Sequence, residues 1–363
     1  MRISAIRLET VRVPLPRPIP TNGLVITGTD CLLAFVEASD GTTGEGLVFT
    51  LNGERLGAVR EIAQSLVPLR VGTDATMAGA FWQRSWEALK FLGHRGATMV
   101  GLAVLDMALW DLRAKLTGLN VSRLIGACHD EVPIYRSGGL RLSLGIDDLQ
   151  EEAGAFHREG FRAMKMSLGK ADPCEDVARV RAVRDALGPG VALMADCNQR
   201  FTPAQAIRLG RQLEEFQLDW IEEPVAFHDH AGEAAVSAAL DTPVASGESE
   251  WTRFGMIEML RLRAADILMP DLQRMGGPTE LLRAAVLAEA HGVPVSPHLF
   301  TEMSLPLAAA IPNAGMVEYM PWFSPLYEGA IELDQDGRAK VPTAPGWGLS
   351  LNPKAVERFR LSS

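Results

Sequence analysis

The amino-acid sequence predicts an α/β protein, a (β/α) barrel joined to a smaller α+β domain. Three observations lead there. From Val132 onward, short apolar runs alternate with amphipathic stretches, the mark of parallel strands feeding helices. The first 125 or so residues lack that alternation. Three carboxylates, Asp196, Glu222 and Glu248, recur 26 residues apart, each closing an apolar run: VALMAD, LDWIE and PVASGE. Parallel strands end side by side, so the three should converge at one mouth of the barrel. Carboxylates gathered without counterions repel and resist ionisation; an all-oxygen set of this kind suits a divalent cation, and magnesium above all.

The elements follow in order. ISAIRLETVRVPL, CLLAFVEAS and TTGEGLVFT suggest a small antiparallel sheet. Between the first two, Pro14, Pro16, Pro18 and Pro20 lack amide donors and read as a loop. Helical patterns follow at ERLGAVREIAQSLVPLRV, from Met77 to Leu89, and in ATMVGLAVLDMALWDLRAKLTG, which Gly118 is placed to end. Eight barrel strands follow: VPIYRSG, FRAMKMSL, VALMADCN, LDWIEE, PVASGE, ADILMPD, VPVSPH and MVEYM. The helical stretches between them include DDLQEEAGAFHREG, CEDVARVRAVRDALG and PTELLRAAVLAEAHG. The expected division is 1–125, 126–330 and a Pro/Gly-rich tail, 331–363, with no assignable barrel role, which should return to the first domain. Gly276 and Gly277 have neither dinucleotide nor P-loop spacing and read as a tight turn.

Composition narrows the function. The 363 residues are 47% hydrophobic and carry 35 Lys+Arg against 45 Asp+Glu, a formal charge of −10. No basic stretch is available to neutralise a phosphate backbone, so nucleic acid is an unsuitable partner. No apolar run reaches the length of a membrane span, and the amino terminus alternates like a strand rather than carrying a signal peptide. Cys31, Cys128, Cys174 and Cys197 have no metal or redox spacing and read as buried thiols in a reducing, cytoplasmic compartment. A homo-oligomer is the default for a soluble enzyme.

Polar residues mark the strand ends from the second strand to the eighth. Lys165 and Ser167 lie two apart and point the same way. Asp196, Glu222 and Glu248 follow, then Asp271, His298 and Glu318. Each alone has a plainer reading: a snorkelling lysine, a turn histidine, aspartates capping helices, a solvated glutamate, Asn198 as a turn former. Those readings would have to hold all at once.

AMKMS, MADCN, WIEEP, SGE, MPDLQRMGG, SPHLF and Glu318, with GEG at Gly44–Gly46 and LDMALWDLRAK in the first domain, resemble the enolase superfamily, mandelate racemase subgroup. The resemblance implies a capping domain over a modified (β/α)7β barrel completed by the carboxyl-terminal tail. It also implies Mg²⁺ on Asp196, Glu222 and Glu248, and proton abstraction beside a carboxylate. Lys165 would stabilise the resulting enediolate, with a protonated Glu318 opposite; His298 would be the acid or base, oriented by Asp271. The family's usual Lys-x-Lys is here Lys165-x-Ser167, and a serine without an activator is no general base. That counts against two-base racemisation and favours dehydration of an aldonic or aldaric acid to a 2-keto-3-deoxy acid. Epimerase, racemase or lactone cycloisomerase activity, and a catalytically silent metal-binding protein, are the alternatives. Substrate contacts are expected from Ser167, Asn198, Asn22 and Arg136, with the capping loops Pro20–Gly28 and Phe49–Asn52. Trp322 and Phe323 receive no role.

Overall fold

The computed structural model describes residues 1–20 and 25–361. The first domain opens with β1 (Ile3–Pro20), β2 (Val25–Ala38) and β3 (Thr43–Leu51), an antiparallel sheet in that order. The proline stretch is not a loop. β1 runs through it, pairing Pro14 with Gly28, Ile19 with Ile26 and Pro20 with Val25 across one register irregularity. The prolines fall on alternate residues of an edge strand, where a missing donor facing outward breaks no ladder bond.

Three helices, α1 (Leu56–Leu66), α2 (Ala78–Leu89) and α3 (Ala97–Thr117), and the short α4 (Val121–Ile125) complete the domain. Gly118 ends α3 with φ 68°, its amide bonded to Ala114 and Lys115 carbonyls. α3 is buried on almost every side because it lies between the sheet and the barrel. Its closest approach to β3 explains the GEG motif. A Cβ on Gly44 or Gly46 would stand 2.2 Å from the carbonyl oxygen of Ala108 or Val104 respectively. Gly46→Ala should therefore cost about 1–3 kcal/mol of stability through overpacking; an unchanged urea midpoint would mean the strand can lift off the helix.

The barrel alternates β4 (Glu131–Arg136), α5 (Ile146–Arg158), β5 (Ala163–Ser167), α6 (Pro173–Leu187), β6 (Ala192–Asp196), α7 (Pro203–Leu213), β7 (Ile221–Glu222), α8 (His230–Ser237), β8 (Val244–Ser246), α9 (Thr252–Leu262), β9 (Ile267–Leu268) and α10 (Pro278–Ala290). α11 (Thr301–Ala308) and β10 (Val317–Tyr319) follow. Its parallel sheet runs β10-β4-β5-β6-β7-β8-β9. VPVSPH, expected as the seventh strand, pairs only through isolated bridges, Val295 with Leu268 and Ala314, and His298 with Asp271. Pro294 and Pro297 remove the donors a longer ladder would need. Inside the barrel, Tyr135, Met194, Trp220, Ala245 and Met269 form the core.

The tail serves both parts. β11 (Arg338–Lys340) pairs antiparallel with β4, a barrel role the sequence did not reveal. Further on, the Trp347 amide donates to Asp111 Oδ1 at 2.8 Å and the Leu351 amide to Glu45 Oε2 at 3.0 Å. α12 (Pro353–Phe359) then packs on β1. The barrel also meets α3 through buried Asp106, whose carboxylate accepts the backbone N–H of Thr279 at 2.8 Å and its hydroxyl at 2.9 Å, capping α10 from the other domain. The Gly276–Gly277 turn just before α10 has φ of 84° and 105°, as a tight turn requires. All four cysteines are free, but Cys128 and Cys174 are exposed, so the reading of four buried thiols holds only for Cys31 and Cys197. Among the described residues, no helix is long and apolar enough to cross a membrane.

Candidate active site

Strand pairing brings the predicted residues to one mouth. Ser167 and Asp196 are register partners across β5 and β6, as are Asp196 and Glu222 across β6 and β7. Lys165, reaching in from β5, is only 6% exposed; its Nζ lies 2.5 Å from Glu222 Oε1, 3.0 Å from Glu318 Oε1 and 3.9 Å from Asp196 Oδ2. Burial pulls its pKa down, but Glu222 and Glu318 outweigh that and hold it well above the usual lysine value. Lys165 is a fixed positive charge.

His298 and Asp271 meet as their backbone bridge requires. His298 Nδ1 is 2.8 Å from buried Asp271 Oδ2, while Nε2 lies 3.3 Å from Glu248 Oε2. Asp271 uses its other oxygen to accept the Arg274 amide at 2.8 Å, and Asp196 Oδ1 likewise accepts the Asn198 amide at 2.8 Å. Both aspartates therefore close local turns. Neither caps a helix, since α7 begins after Thr202 and α10 after Gly277.

Six carboxylates, those of Asp196, Glu222, Glu223, Glu248, Asp271 and Glu318, share this end with four cationic groups, Lys165, Arg141, Arg274 and His298. The excess negative charge has consequences. Burial, followed by neighbouring carboxylates, raises the pKa of Asp196 and Glu222 despite Lys165, and pushes Glu223 up to about 8. Burial lowers the pKa of His298, but Glu248, Asp271 and Glu318 together raise it to about 9. Among the described residues no three donors close on one point as a metal cage; Lys165 Nζ contacts Asp196 and Glu222, and His298 Nε2 contacts Glu248. The donor set nonetheless fits a divalent cation: it is all oxygen, comes from three successive strands, and carries charge that the protein's own cations leave uncompensated.

Glu318 corrects an expectation. The family resemblance implies a protonated hydrogen-bond donor, and burial favours that form, but Lys165 and His298 prevail and lower its pKa to about 2. Its carboxylate accepts the Leu299 amide at 2.9 Å. Both its oxygens thus face donors, Oε1 the Lys165 ammonium at 3.0 Å and Oε2 the Leu299 amide, an arrangement that favours the anion.

A cavity of about 440 Å³ lies over these groups, bounded by Lys165, Ser167, Asp196, Asn198, Glu248, His298 and Glu318 and roofed by Ile19, Ile26, Phe49, Thr50 and Leu51 of the first domain. Ser167 and Asn198 thus line it, as predicted, and the Ser167 hydroxyl has no activating base among the described residues. Asn22 lies outside the described residues. Arg136 does not line this cavity. It follows Tyr135, which fills the barrel interior, so strand alternation sends it outward onto Phe156, Phe161 and Tyr319. Trp322 walls the cavity, edge-on to Phe49 at 6.0 Å, whereas Phe323 is buried behind it.

Residues 5–126 match the family described as mandelate racemase / muconate lactonizing enzyme, N-terminal domain, and residues 148–355 match the enolase C-terminal domain-like family. The chain belongs to the mandelate racemase and muconate lactonizing enzyme family of the enolase superfamily. Within the family it is 34% identical to L-talarate/galactarate dehydratase of Salmonella typhimurium, over 98% of this chain and 90% of that one. It is 31% identical to 3,6-anhydro-alpha-L-galactonate cycloisomerase of Streptomyces coelicolor, over 98% of this chain and 99% of the relative. The crystal structure of L-talarate dehydratase from Polaromonas sp. JS666, complexed with Mg and L-glucarate, superposes with a TM-score of 0.94 at 36% identity, covering 99% of this chain and 98% of that one.

Against this family background, sequence reasoning passed over several groups at the site. Arg274 donates to the Glu248 carbonyl at 2.5 Å and lies 3.5 Å from its Oε1. Trp220 Nε1 holds Glu222 Oε2 at 3.1 Å. Ser137, Arg141 and Gln273 line the cavity. Arg274 stood in the quoted MPDLQRMGG, three residues past Asp271, and that spacing was its only signal.

Proposed function

We propose that this protein abstracts the proton beside a carboxylate and expels a β-hydroxyl, dehydrating an acid sugar to a 2-keto-3-deoxy acid. The observation that carries the reading is the His298–Asp271 pair, 2.8 Å apart, facing Lys165 across one cavity. Asp196, Glu222 and Glu248 would hold Mg²⁺, which when bound supplies Lewis-acid stabilisation of the developing negative charge. Lys165 adds a second positive charge beside the substrate carboxylate. His298 Nε2 faces the cavity and moves the proton, while Asp271 on Nδ1 fixes the tautomer and the ring. Ser167 offers no second base, so a single acid–base group both takes the α-proton and protonates the departing hydroxyl. The dehydratases among the relatives support this, as do the four free cysteines a cytoplasmic placement.

Two relatives are named cycloisomerases, and ring opening of a sugar-acid lactone would begin with the same proton transfer. Incubation with Mg²⁺ and a library of sugar acids and lactones separates the readings. Keto-acid formation supports dehydration; lactone consumption without keto acid supports cycloisomerisation; no α-proton exchange in deuterated water with any of them would sink both.

The metal should also reset the base. With its pKa at about 9, His298 is protonated at neutral pH, and Glu248 contributes most to that elevation. Once Glu248 shares its charge with a divalent ion, the elevation shrinks, so Mg²⁺ should move the His298 titration to lower pH and free the neutral ring. NMR titration of the imidazole with and without Mg²⁺ checks this; an unmoved curve would mean that Glu248 does not bind the ion.

A further inference from the structure

Arg141 stands in the loop after β4, half-buried, on the wall shared by the active-site cavity and its neighbour. Its guanidinium carries five N–H donors, yet its only hydrogen bond among the described residues runs from Nη2 to the Gly138 carbonyl at 3.2 Å, and it makes no ion pair there. The loop itself is firmly built. The Leu140 amide donates to Glu152 Oε2 at 2.6 Å, and Arg179 donates to the Arg141 carbonyl at 2.9 Å. Of the other arginines and lysines around this space, Lys165 is engaged by Glu222 and Glu318, Arg274 by Glu248 and Arg136 by aromatic rings, while Arg17 is largely exposed, 3.6 Å from Glu152. One partly desolvated positive charge thus stands in the wall of a cavity that Asp196, Glu248 and Glu318 also line, with Glu152, Asp196 and Glu318 near enough to favour its charged form but none of them in an ion pair with it among the described residues.

We propose that Arg141 recognises a second carboxylate on the substrate, so that the preferred substrate is a diacid, an aldaric rather than an aldonic acid. The proposal deepens the dehydration reading and rests on it. One carboxylate goes to the Lys165 end, where the chemistry occurs. The other is gripped by Arg141, in the paired-donor geometry that suits guanidinium and carboxylate. A terminal hydroxymethyl group would leave that cation unpaired. The roof near Ile19 and Trp322 is apolar and would exclude water from the pair, strengthening it.

The test compares six-carbon aldaric acids with the aldonic acids of matching stereochemistry, with Mg²⁺, on wild type, Arg141→Gln and Arg141→Lys. Calorimetric binding is measured beside kcat/KM. Wild type should favour the diacid, and Arg141→Gln should lose about 10- to 100-fold toward the diacid while changing little toward the monoacid; Arg141→Lys should recover part of the loss. Equal losses toward both acids would mean that Arg141 merely holds its loop, and an unchanged diacid preference would place the second carboxylate elsewhere; either overturns the proposal. If wild type exchanges the α-proton of monoacids and diacids alike with equal binding, the diacid assignment fails while the dehydration reading stands. If neither acid exchanges or binds, both fall together.

Discussion

Replacing His298 with asparagine lowers kcat by about 10²- to 10⁴-fold, the span one positioned acid–base group contributes, and leaves Mg²⁺ affinity near that of wild type. The loss is large because the site holds no substitute. Ser167 has no base to activate it, Lys165 is locked between Glu222 and Glu318 as a cation, and Glu318 faces donors that favour its anion. Metal affinity persists because Asp196, Glu222 and Glu248 keep their strand-end positions; the 3.3 Å contact between His298 and Glu248 is the only interaction the metal ligands lose. Calorimetry with Mg²⁺ beside steady-state turnover checks the pair of outcomes. Retained turnover would remove His298 from the mechanism, and a collapse in Mg²⁺ affinity would make it a support for the metal site instead.

Lys165→Met strikes stability as well as activity. In the metal-free protein it leaves Glu222 and Glu318, both fully buried, without their shared counterion. Breaking a buried pair from one side costs about 3–5 kcal/mol, a large part of a typical domain's stability. Mg²⁺ should restore a portion by neutralising Glu222 and its neighbours, so the deficit in urea unfolding is expected to be greater in chelator than in Mg²⁺. Activity stays lost in both. Ser167→Ala, by contrast, removes a cavity hydroxyl and no counterion, and is the milder change. If the serine variant proved the more damaging one, the division of labour on β5 would have to be reversed.

Much of this site was legible because its residues obey rules of parity and position. Lys165 and Ser167 share a face by strand alternation, and the 26-residue spacing of the three carboxylates is one strand-helix-strand repeat. The Arg136 expectation comes from the family resemblance and not from these rules, and strand parity runs against it. Arg136 lies next to inward-facing Tyr135 and therefore points out, while Arg141, five residues on and past the strand end, reaches the cavity through a loop whose path no periodicity encodes. The prolines before Pro20 looked like a break because their lost donors count against a strand; only the position of β1 at a sheet edge makes the loss harmless.

Charge states were the least legible part. A glutamate on the eighth strand could be an acid or an anion, and no local feature chooses. The choice falls to Lys165, which is distant in the chain and 3.0 Å away in space. By itself, the chain's alternation of apolar runs and polar strand ends determined a barrel and the groups expected at its mouth, and the lack of that alternation in the first 125 or so residues marked a companion domain, because those follow from local periodicity and from which side chains can carry charge. Only the tertiary structure decided which of those groups are paired, ionised or left facing the cavity, because Coulomb energies and desolvation depend on distances between residues that are far apart in sequence.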